Sequence, residues 1–443
     1  MRDTLTLKSG LAGLQWLFFL FTNTMIIPLT VGVAFGLPQD NIQFLLQCSF
    51  VLTGLACVFQ SLFGHHRAIM EGQSGLWWGV ILSLCASAPS LGISLSQLGW
   101  SLAVGIMISG ILTILIGLFG LSGMLAKLFS PGVMAVFMFL LGCRLNIIFL
   151  QGMFGISAGP SAATAQIRPE VFGLAATVAI FVAVLSVKAR PAIAQYALLI
   201  GTLGGWGLHV LFFGWNAAAV AKSSVGETME IGLFPFGGAQ NGLDAGVVII
   251  AVIAGLINTS NTFGALKGTD LIYGQEASPR QYRRSFTISG ALTVLSGPLG
   301  MVPYAPYVSS IGFLEQTRIR ERLPFIIGGL LFALIGVIPS VSGVLTHLPL
   351  SIGSAVLFVT YMRLLGSSLH YFGQIKMNTA NLYRTAAPLF GGVIIMGFPS
   401  TYFASLPPLL RPLFGNGLLD GILLALILDR LRFGTRERRS DTR

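Results

Sequence analysis

Three ionisable residues stand inside apolar stretches of this chain, where a charge is costly. Glu71 lies in IMEGQSG, Arg144 in LLGCRLNIIF and Glu315 in GFLEQTR. A desolvated carboxylate can bind and release a proton as its surroundings change, and a buried cation must meet an anion, a partner or water. The alternatives are structural. Arg67 would pair with Glu71, Arg318 would pair with Glu315, which we favour for that residue, and Arg144 would reach the membrane surface by snorkelling.

Glycine, proline and polar residues interrupt two short apolar segments. GQSG at residues 72–75 opens one of them, and PYAPYVSSIG at residues 303–312 opens the other. Extended backbone at membrane depth persists only where protein buries it or where it lines a water-filled cavity. The two breaks therefore predict where a ligand binds. No nucleophile–base pair, metal-ligand spacing or phosphate loop accompanies them, so we expect no enzyme, no metal and no cofactor.

The composition predicts the elements that position these residues. Hydrophobic residues make up 54% of the 443-residue chain, charged residues make up 9%, and the mean hydropathy is +0.82. A soluble globule could not carry that surface, so we predict an all-α polytopic membrane protein. The length allows about 12 to 14 spans of roughly 20 residues. We place the upper number, near residues 13–34, 43–63, 73–88, 99–120, 131–151, 170–187, 194–213, 243–266, 286–302, 307–318, 324–340, 350–367, 386–404 and 413–429.

The chain contains an internal repeat. ISGILTILIGLFG at residues 108–120 returns, 219 residues later, as IGGLLFALIGVIP at residues 327–339, and Ser-Gly and then proline follow each copy. Seven predicted spans separate equivalent elements, so the second copy enters the membrane from the opposite side. We predict two inverted seven-span repeats, with short extended strands in the third and tenth spans.

The net charge of +11 reflects membrane topology, because the basic residues are scattered between spans and form no nucleic-acid-binding face. The positive-inside rule then places both termini in the cytoplasm. The predicted inside positions are Arg67, Lys127, Lys188, Arg190, Arg280, Arg283, Arg284, Lys376, Arg384 and the tail from Arg430. The predicted outside positions are Arg168, Lys222 and Arg411.

The tenth-span segment carries a recognisable spacing. Ser309 and Ser310 are followed by Gly312, Thr317 and Arg318. In this spacing the chain resembles the nucleobase-ascorbate transporter family, also called nucleobase-cation symporter family 2, although the family's two leading residues are here both serine. The resemblance extends over nearly the whole length. The stretches IMEGQSGLWWG and SNTFGALKGTD are most similar to the family's bacterial purine-permease branch.

The resemblance implies that the chain forms two domains, a core and a gate. Residues 1–128 and 241–345 would form a core of spans 1 to 4 and 8 to 11. Residues 129–240 and 346–443 would form a gate of spans 5 to 7 and 12 to 14. Family members move uracil, xanthine, urate or ascorbate, commonly with H+ or Na+, and are usually homodimers. We therefore expect a bacterial inner-membrane protein of this kind.

Three further polar or ionisable family positions carry neutral residues here. Trp16 stands where the first span usually has histidine, and Asn261 stands where the eighth span has a substrate-binding glutamate. A family aspartate twenty residues ahead of the tenth-span motif falls on Ser289. Because asparagine cannot titrate, Glu71 is the first substitute to consider for proton coupling.

The resemblance also implies the substrate contacts. Asn261 can donate and accept a hydrogen bond at the edge of a nucleobase, although it would equally bridge two helices. Ser309 and Ser310 could bond the same edge through hydroxyls, or through backbone N–H groups, unless they only pack closely. Tyr307 takes the family's stacking position or marks a membrane boundary, and Val308 lies beside it.

One wall of the expected pocket is missing. The family's serine–aromatic pair in the third span is here Ser74 and Gly75, which predicts a larger pocket unless Trp77 or Trp78 replaces the lost ring. We expect a secondary active, elevator-type permease for purines or oxidised purines, with H+ coupling. The alternatives are a uniporter or anion carrier on the same fold, favoured by Arg144, and more remotely a transport-dead receptor.

Overall fold

A computed structural model of the chain describes residues 7–123, 127–156, 166–194, 197–214, 232–340, 344, 347–403, 405–406, 414 and 416–431. Most of these residues are helical. The first half contains α1 (Leu7–Thr24), α2 (Ile26–Ala34), α3 (Gln39–Phe63), β1 (Glu71–Gln73), α4 (Gly75–Leu91), α5 (Leu95–Leu118), α6 (Pro131–Met153), α7 (Pro169–Lys188), α8 (Pro191–Ala194) and α9 (Ala197–Phe213). The second half contains α10 (Ala245–Tyr273), α11 (Pro279–Ser296), β2 (Tyr304–Pro306), α12 (Ser310–Thr317), α13 (Arg322–Val337), α14 (Leu350–Tyr361), α15 (Arg363–Phe372), α16 (Thr379–Gly397) and α17 (Gly417–Arg430).

Seven helical stretches among the described residues are long and apolar enough to cross a membrane. They are Ser9–Ala34, Gln39–Phe63, Leu95–Leu118, Pro131–Met153, Pro169–Lys188, Ala245–Asp270 and Leu350–Phe372. Three further apolar helices are shorter, namely Gly75–Pro89, Ile200–Phe213 and Arg322–Val337. Two of these short helices adjoin the elements that the sequence marks as unusual, because β1 precedes Gly75–Pro89 and α12 precedes Arg322–Val337.

Local chemistry explains where several helices begin or break. Pro28 has no N–H to donate to Thr24, and the first span is broken at Met25 between α1 and α2. The Ser130 hydroxyl caps α6 by accepting from the N–H of Val133, with proline at the first helical position. A reciprocal capping box begins α11. These caps satisfy N–H groups that a helix leaves unpaired at its start.

One group of helices surrounds the two strands. Helix α5 packs against α10 and α11, and α13 packs against α1 and α3. Glycines let the backbones meet at these crossings. A Cβ on Gly54 would overlap Gly329 O and lie 2.7 Å from Ala333 N, and a Cβ on Gly290 would lie 2.8 Å from Gly110 O. Small residues at helix crossings permit this close approach.

A second group of helices packs beside the first. Helix α6 contacts α14, α15, α16 and α17, while α7 contacts α9 and α14. Helix α4 of the first group touches α6 of the second. The two strands, and the half-helices α4 and α12 that follow them, therefore lie where side chains of both groups can reach.

Candidate functional site

The strands β1 and β2 form an antiparallel pair that satisfies backbone groups away from water. Gly72 is paired with Ala305, and both strands are buried along their whole length. The pairing extends past the strands, because Ser74 N donates to Pro303 O at 2.8 Å and Tyr307 N donates to Met70 O at 2.8 Å. Extended backbone is thus kept at membrane depth by being buried in protein.

An asparagine on α10 joins this strand pair to the predicted substrate contacts. Asn258 Oδ1 accepts from the Ser74 hydroxyl at 2.5 Å and from Asn261 Nδ2 at 2.9 Å. Asn258 Nδ2 donates to Tyr304 O at 3.1 Å. Asn258 and Ser74 are buried, whereas Asn261 is half-buried. The network holds the Asn261 amide through one N–H and leaves its carbonyl oxygen free of any bond among the described residues.

The tenth-span residues divide between structural and open positions. Ser310 is buried, and its hydroxyl accepts from Met70 N at 3.0 Å. Tyr307 is buried and donates its hydroxyl to Gln73 O at 2.5 Å. Val308 is half-buried, and Ser309 is exposed at the start of α12 without capping that helix. Of the two serines, Ser309 has the hydroxyl that is accessible to a ligand.

The backbone at the start of α12 is already bonded. Ser310 N donates to Tyr307 O at 3.1 Å, and Ile311 N donates to Val308 O at 3.0 Å. These two N–H groups are therefore used within the turn. We expected the start of this half-helix to offer free backbone N–H groups to a ligand. For the N–H groups of Ser310 and Ile311 that expectation is wrong, because each is bonded to a carbonyl oxygen three residues earlier.

The wall opened by Gly75 is closed from the second group of helices. A Cβ on Gly75 would lie 3.6 Å from Leu145 Cδ1 and 3.6 Å from the Tyr361 hydroxyl. Trp78 is buried beside Tyr361 and donates its Nε1 to Thr30 Oγ1 at 2.9 Å. Tyr361 and Leu145 therefore line the space beside Gly75 into which a larger side chain would extend.

Glu71 is fully buried in β1 and takes part in a polar cluster with α3 and α11. Its Oε1 accepts from the Ser289 hydroxyl at 2.5 Å, and Ser289 Oγ accepts from Gln60 Nε2 at 3.0 Å. Gln60 Nε2 also donates to Ser285 O. Within the described part of the chain, Glu71 Oε2 has no hydrogen-bond partner.

Glu71 does not pair with Arg67, the structural alternative that the sequence offered. Arg67 pairs instead with Asp270 at 2.7 Å and also donates to Leu266 O and Gln275 O. This buried ion pair ties the loop before β1 to the end of α10. No signal in the sequence identified Asp270 as this partner, because it lies 203 positions from Arg67.

The same loop buries a histidine. His65 is fully buried, and its Nδ1 accepts from Arg67 N at 3.1 Å. Burial, and after it the Arg67 guanidinium, lower the pKa of His65 from its ordinary value to about 3. The ring therefore stays neutral and accepts a hydrogen bond, which an imidazolium could not do at this nitrogen.

Arg144 lies on α6 against the first helix group. Its side chain is half-buried and contacts Gly79 of α4, since a Cβ on that glycine would lie 3.7 Å from Arg144 Cγ. Its Nε has no partner among the described residues, and no ion pair joins it to Glu71 there. The side chain of Glu315, the third candidate, lies outside the described residues, so its predicted pairing with Arg318 is untested.

A small polar cavity lies behind the strand pair. Its volume is about 10 Å³, which is room for one water molecule. Polar residues of α5, α10 and α11 line it, namely Ser109, Thr113, Asn258, Thr262, Ser289 and Thr293. The cavity therefore lies between Ser289, the partner of Glu71, and Asn258, the centre of the Asn261 network. No cluster of metal ligands occurs in the described ranges.

Asn258 and Tyr361 are the residues that the sequence did not reveal. Asn258 is three positions before Asn261, so the two share a helix face, and that spacing was the available signal. Tyr361 carries no comparable signal, because it comes from a span that belongs to the other helix group. Its place against Gly75 depends on how the two groups pack.

A family model described as "Permease family" matches residues 7–401. Three similar proteins of known name match along almost the whole chain. "Putative purine permease YwdJ" of Bacillus subtilis is 28% identical, over 98% of this chain and 98% of its own. "Uric acid transporter UacT" of Escherichia coli is 22% identical, over 95% of this chain and 85% of its own. "Xanthine permease" of Bacillus subtilis is 22% identical, over 94% of this chain and 92% of its own.

Two solved structures share the fold. The transmembrane domain of the cyanobacterial bicarbonate transporter BicA superposes with a TM-score of 0.62 at 17% identity, covering 96% of this chain and 98% of that one. The murine Slc26a9 anion transporter in its inward-facing state superposes with a TM-score of 0.61 at 12% identity, covering 97% and 69%. At these identities the superpositions show the fold alone.

Proposed function

This chain belongs to the permease family of nucleobase-ascorbate transporters, and from that membership we propose that it carries purine nucleobases or related oxidised purines across a membrane. It is a multi-pass membrane permease and not an enzyme. The names of its relatives, which specify purine, uric acid and xanthine, support the nucleobase class. The observation that carries the proposal is the Asn258 network, which fixes a half-buried amide beside two broken spans.

The substrate is bound by its edge. Buried N–H and C=O groups of a nucleobase need partners, because each one left unpaired loses its hydrogen bond to water. The Asn261 carbonyl accepts from a ring N–H, and the exposed Ser309 hydroxyl bonds a neighbouring ring atom. Tyr307 and Val308 form the surface beside the substrate. Ser74 and Ser310 position the surrounding backbone through their hydroxyls. Gly75 has no side chain, so Tyr361 lies close to the backbone there.

The architecture we propose is fourteen segments in two inverted repeats. The packing supports it, because the contact of α5 with α11 has its counterpart in the contact of α13 with α3. The 219-residue offset relates Gly110 to Gly329, and each packs against a glycine of its partner helix. A second glycine pair at the same offset, Gly117 and Gly336, also meets neighbouring backbone.

The transport cycle we propose is an elevator movement. Residues 1–128 and 241–345 form the moving core, and residues 129–240 and 346–443 form the gate. The small contact between α4 and α6 supports sliding at this boundary, with Leu145 and Tyr361 as the gate residues that face Gly75. We further propose a homodimer in a bacterial inner membrane with both termini in the cytoplasm.

A second candidate function is a uniporter or anion carrier. The unpartnered Nε of Arg144 favours it. Transport of bicarbonate or chloride that is lost in Arg144→Gln, together with no purine transport, would establish this alternative in place of ours.

Uptake of radiolabelled xanthine and urate into cells tests the substrate site. Asn261→Ala and Ser309→Ala should each raise the half-saturation concentration about tenfold or more, because a lost hydrogen bond to a desolvated group costs roughly 1 to 3 kcal/mol. The matched control is Asn241→Ala, since Asn241 is also half-buried and bonds only Gly238 O of its own turn. Unchanged uptake in both site variants would count against this site.

A further inference from the structure

Glu71 is the part of the described core that the substrate site leaves unexplained. It is a carboxylate buried from water on all sides, and Arg67, the nearest cation along the chain, is occupied by Asp270. A buried carboxylate without a cation is costly in its charged form. Its position in β1 places it in the strand pair that also carries the substrate site.

One oxygen of the buried Glu71 carboxyl lacks a hydrogen-bond partner among the described residues. Glu71 Oε2 and Gln60 Oε1 are both buried acceptors, and neither has a donor among the described residues. The Gln60 donor, Nε2, bonds Ser285 O and Ser289 Oγ. A proton on Oε2 would remove the charge from this buried carboxyl and leave the Ser289 hydroxyl bonded to the other oxygen, Oε1.

No other titratable group competes for this role nearby. Cys57 of α3 contacts the Glu71 backbone through its sulfur, and Tyr304 of β2 has its hydroxyl hydrogen-bonded to Thr53 at 3.1 Å. From α11 the Ser289 hydroxyl faces Glu71, and the Ser285 carbonyl oxygen faces Gln60; neither group titrates. Within the described chain, Glu71 forms no ion pair.

The polar cavity connects this carboxyl to the substrate network. Ser289 lines it on one side and Asn258 on the other, and its volume of about 10 Å³ holds one water. The Ser289 hydroxyl donates to Glu71 Oε1 when that oxygen is charged. Protonation of Oε2 turns Oε1 into a neutral carbonyl oxygen, which is a weaker acceptor. The Ser289 hydroxyl is then held less tightly beside the cavity that Asn258, the partner of Ser74 and Asn261, also lines.

We propose that Glu71 is the proton-binding residue that couples transport to a proton gradient, with Ser289 and the cavity linking it to the substrate network. This inference rests on the proposed permease function. One proton enters from the outer side and forms an O–H bond at Oε2 while substrate is bound. The same bond breaks on the inner side and the proton leaves to water as the substrate is released.

Position 289 offers a second place for a carboxyl group at this contact. The family's aspartate in the ninth span falls on Ser289 in this chain, and Glu71 Oε1 is 2.5 Å from the Ser289 hydroxyl. The two positions should consequently be exchangeable, which a purely structural glutamate would not allow.

Reconstituted full-length protein provides the test, with proton influx read by an internal pH dye and xanthine accumulation read by radiolabel. Wild type should show both. Glu71→Gln should lose proton influx and accumulate xanthine no further than the external concentration, while xanthine still exchanges across the membrane. Glu71→Gln/Ser289→Asp should regain proton influx. The exposed Glu170→Gln is the matched control and should keep both signals.

The outcomes separate this inference from the proposed function. Xanthine exchange by wild type without proton influx, or proton influx retained in Glu71→Gln, would overturn the inference and leave the permease in place. No xanthine or urate exchange by wild type would overturn the permease function itself. If Glu71→Gln does not fold, Ser289→Ala should still lower proton influx relative to exchange, and an unchanged ratio would overturn the inference.

Discussion

A leucine at Gly54 should leave little or no folded protein in the membrane. Its Cβ would overlap Gly329 O and lie 2.7 Å from Ala333 N, so the obstacle is backbone that cannot rotate away. The helices α3 and α13 must then separate along their crossing. Overpacking alone costs about 1 to 3 kcal/mol, and separating the helices also weakens the van der Waals packing between them. The measurement is the yield of monodisperse protein in detergent.

The repeat supplies both a second variant and a matched control for Gly54→Leu. Gly290→Leu should fail in the same way, because its Cβ would lie 2.8 Å from Gly110 O and 2.8 Å from Ile114 N. Gly173→Leu makes the same change on an exposed face of α7 with nothing within 4 Å, and should yield normally. Equal yields from Gly54→Leu and Gly173→Leu would contradict the described crossing of α3 and α13.

Breaking the buried pair between Arg67 and Asp270 should have the second largest effect. Removing one partner of a buried ion pair costs about 3 to 5 kcal/mol, because the other is left uncompensated. Arg67→Gln removes the bonds to Leu266 O and Gln275 O as well. A large fall in the thermal unfolding temperature of the purified protein is the expected result.

The size of the effect depends on which partner is removed. Arg67 is 1% exposed and Asp270 is 22% exposed, so water can partly solvate the carboxylate but not the guanidinium. The full charge penalty is therefore expected for Asp270→Asn, which leaves the guanidinium buried, whereas the carboxylate that Arg67→Gln leaves is partly solvated and keeps its bond from Ala277 N. Arg280→Gln, an exposed arginine at the start of α11, is the control and should change little. A fall in Arg67→Gln no larger than in Arg280→Gln would show that the pair does not hold the loop.

Features of the fold that arise from periodic or local signals could be predicted from the sequence. The repeat at residues 108–120 and 327–339 contains Gly110 and Gly329, the same residues that meet glycines of neighbouring helices. The break at residues 72–75 overlaps the end of β1, and the break at residues 303–312 contains β2. A glycine or proline changes local backbone freedom wherever it occurs, so it can be recognised without knowing the neighbours.

The candidate site was harder to predict, because it depends on which side chains meet across the core. Asn261 could be selected, yet its partner Asn258 was passed over, since sequence alone does not say how α10 is rotated against the strands. The pocket wall at Gly75 depends on Tyr361, which lies 286 positions away. The same difficulty hid Asp270 as the partner of Arg67, for which the sequence suggested only Glu71.

The most direct test of the central claim is a counterflow assay with purified wild-type protein in liposomes. Vesicles are loaded with unlabelled xanthine, urate, adenine or bicarbonate, and radiolabelled xanthine is supplied outside. A permease for purines predicts transient accumulation of label in purine-loaded vesicles only, and much weaker accumulation in Asn261→Ala at the same concentration. Label that enters no faster than into protein-free liposomes, or bicarbonate exchange without purine exchange, would contradict the account.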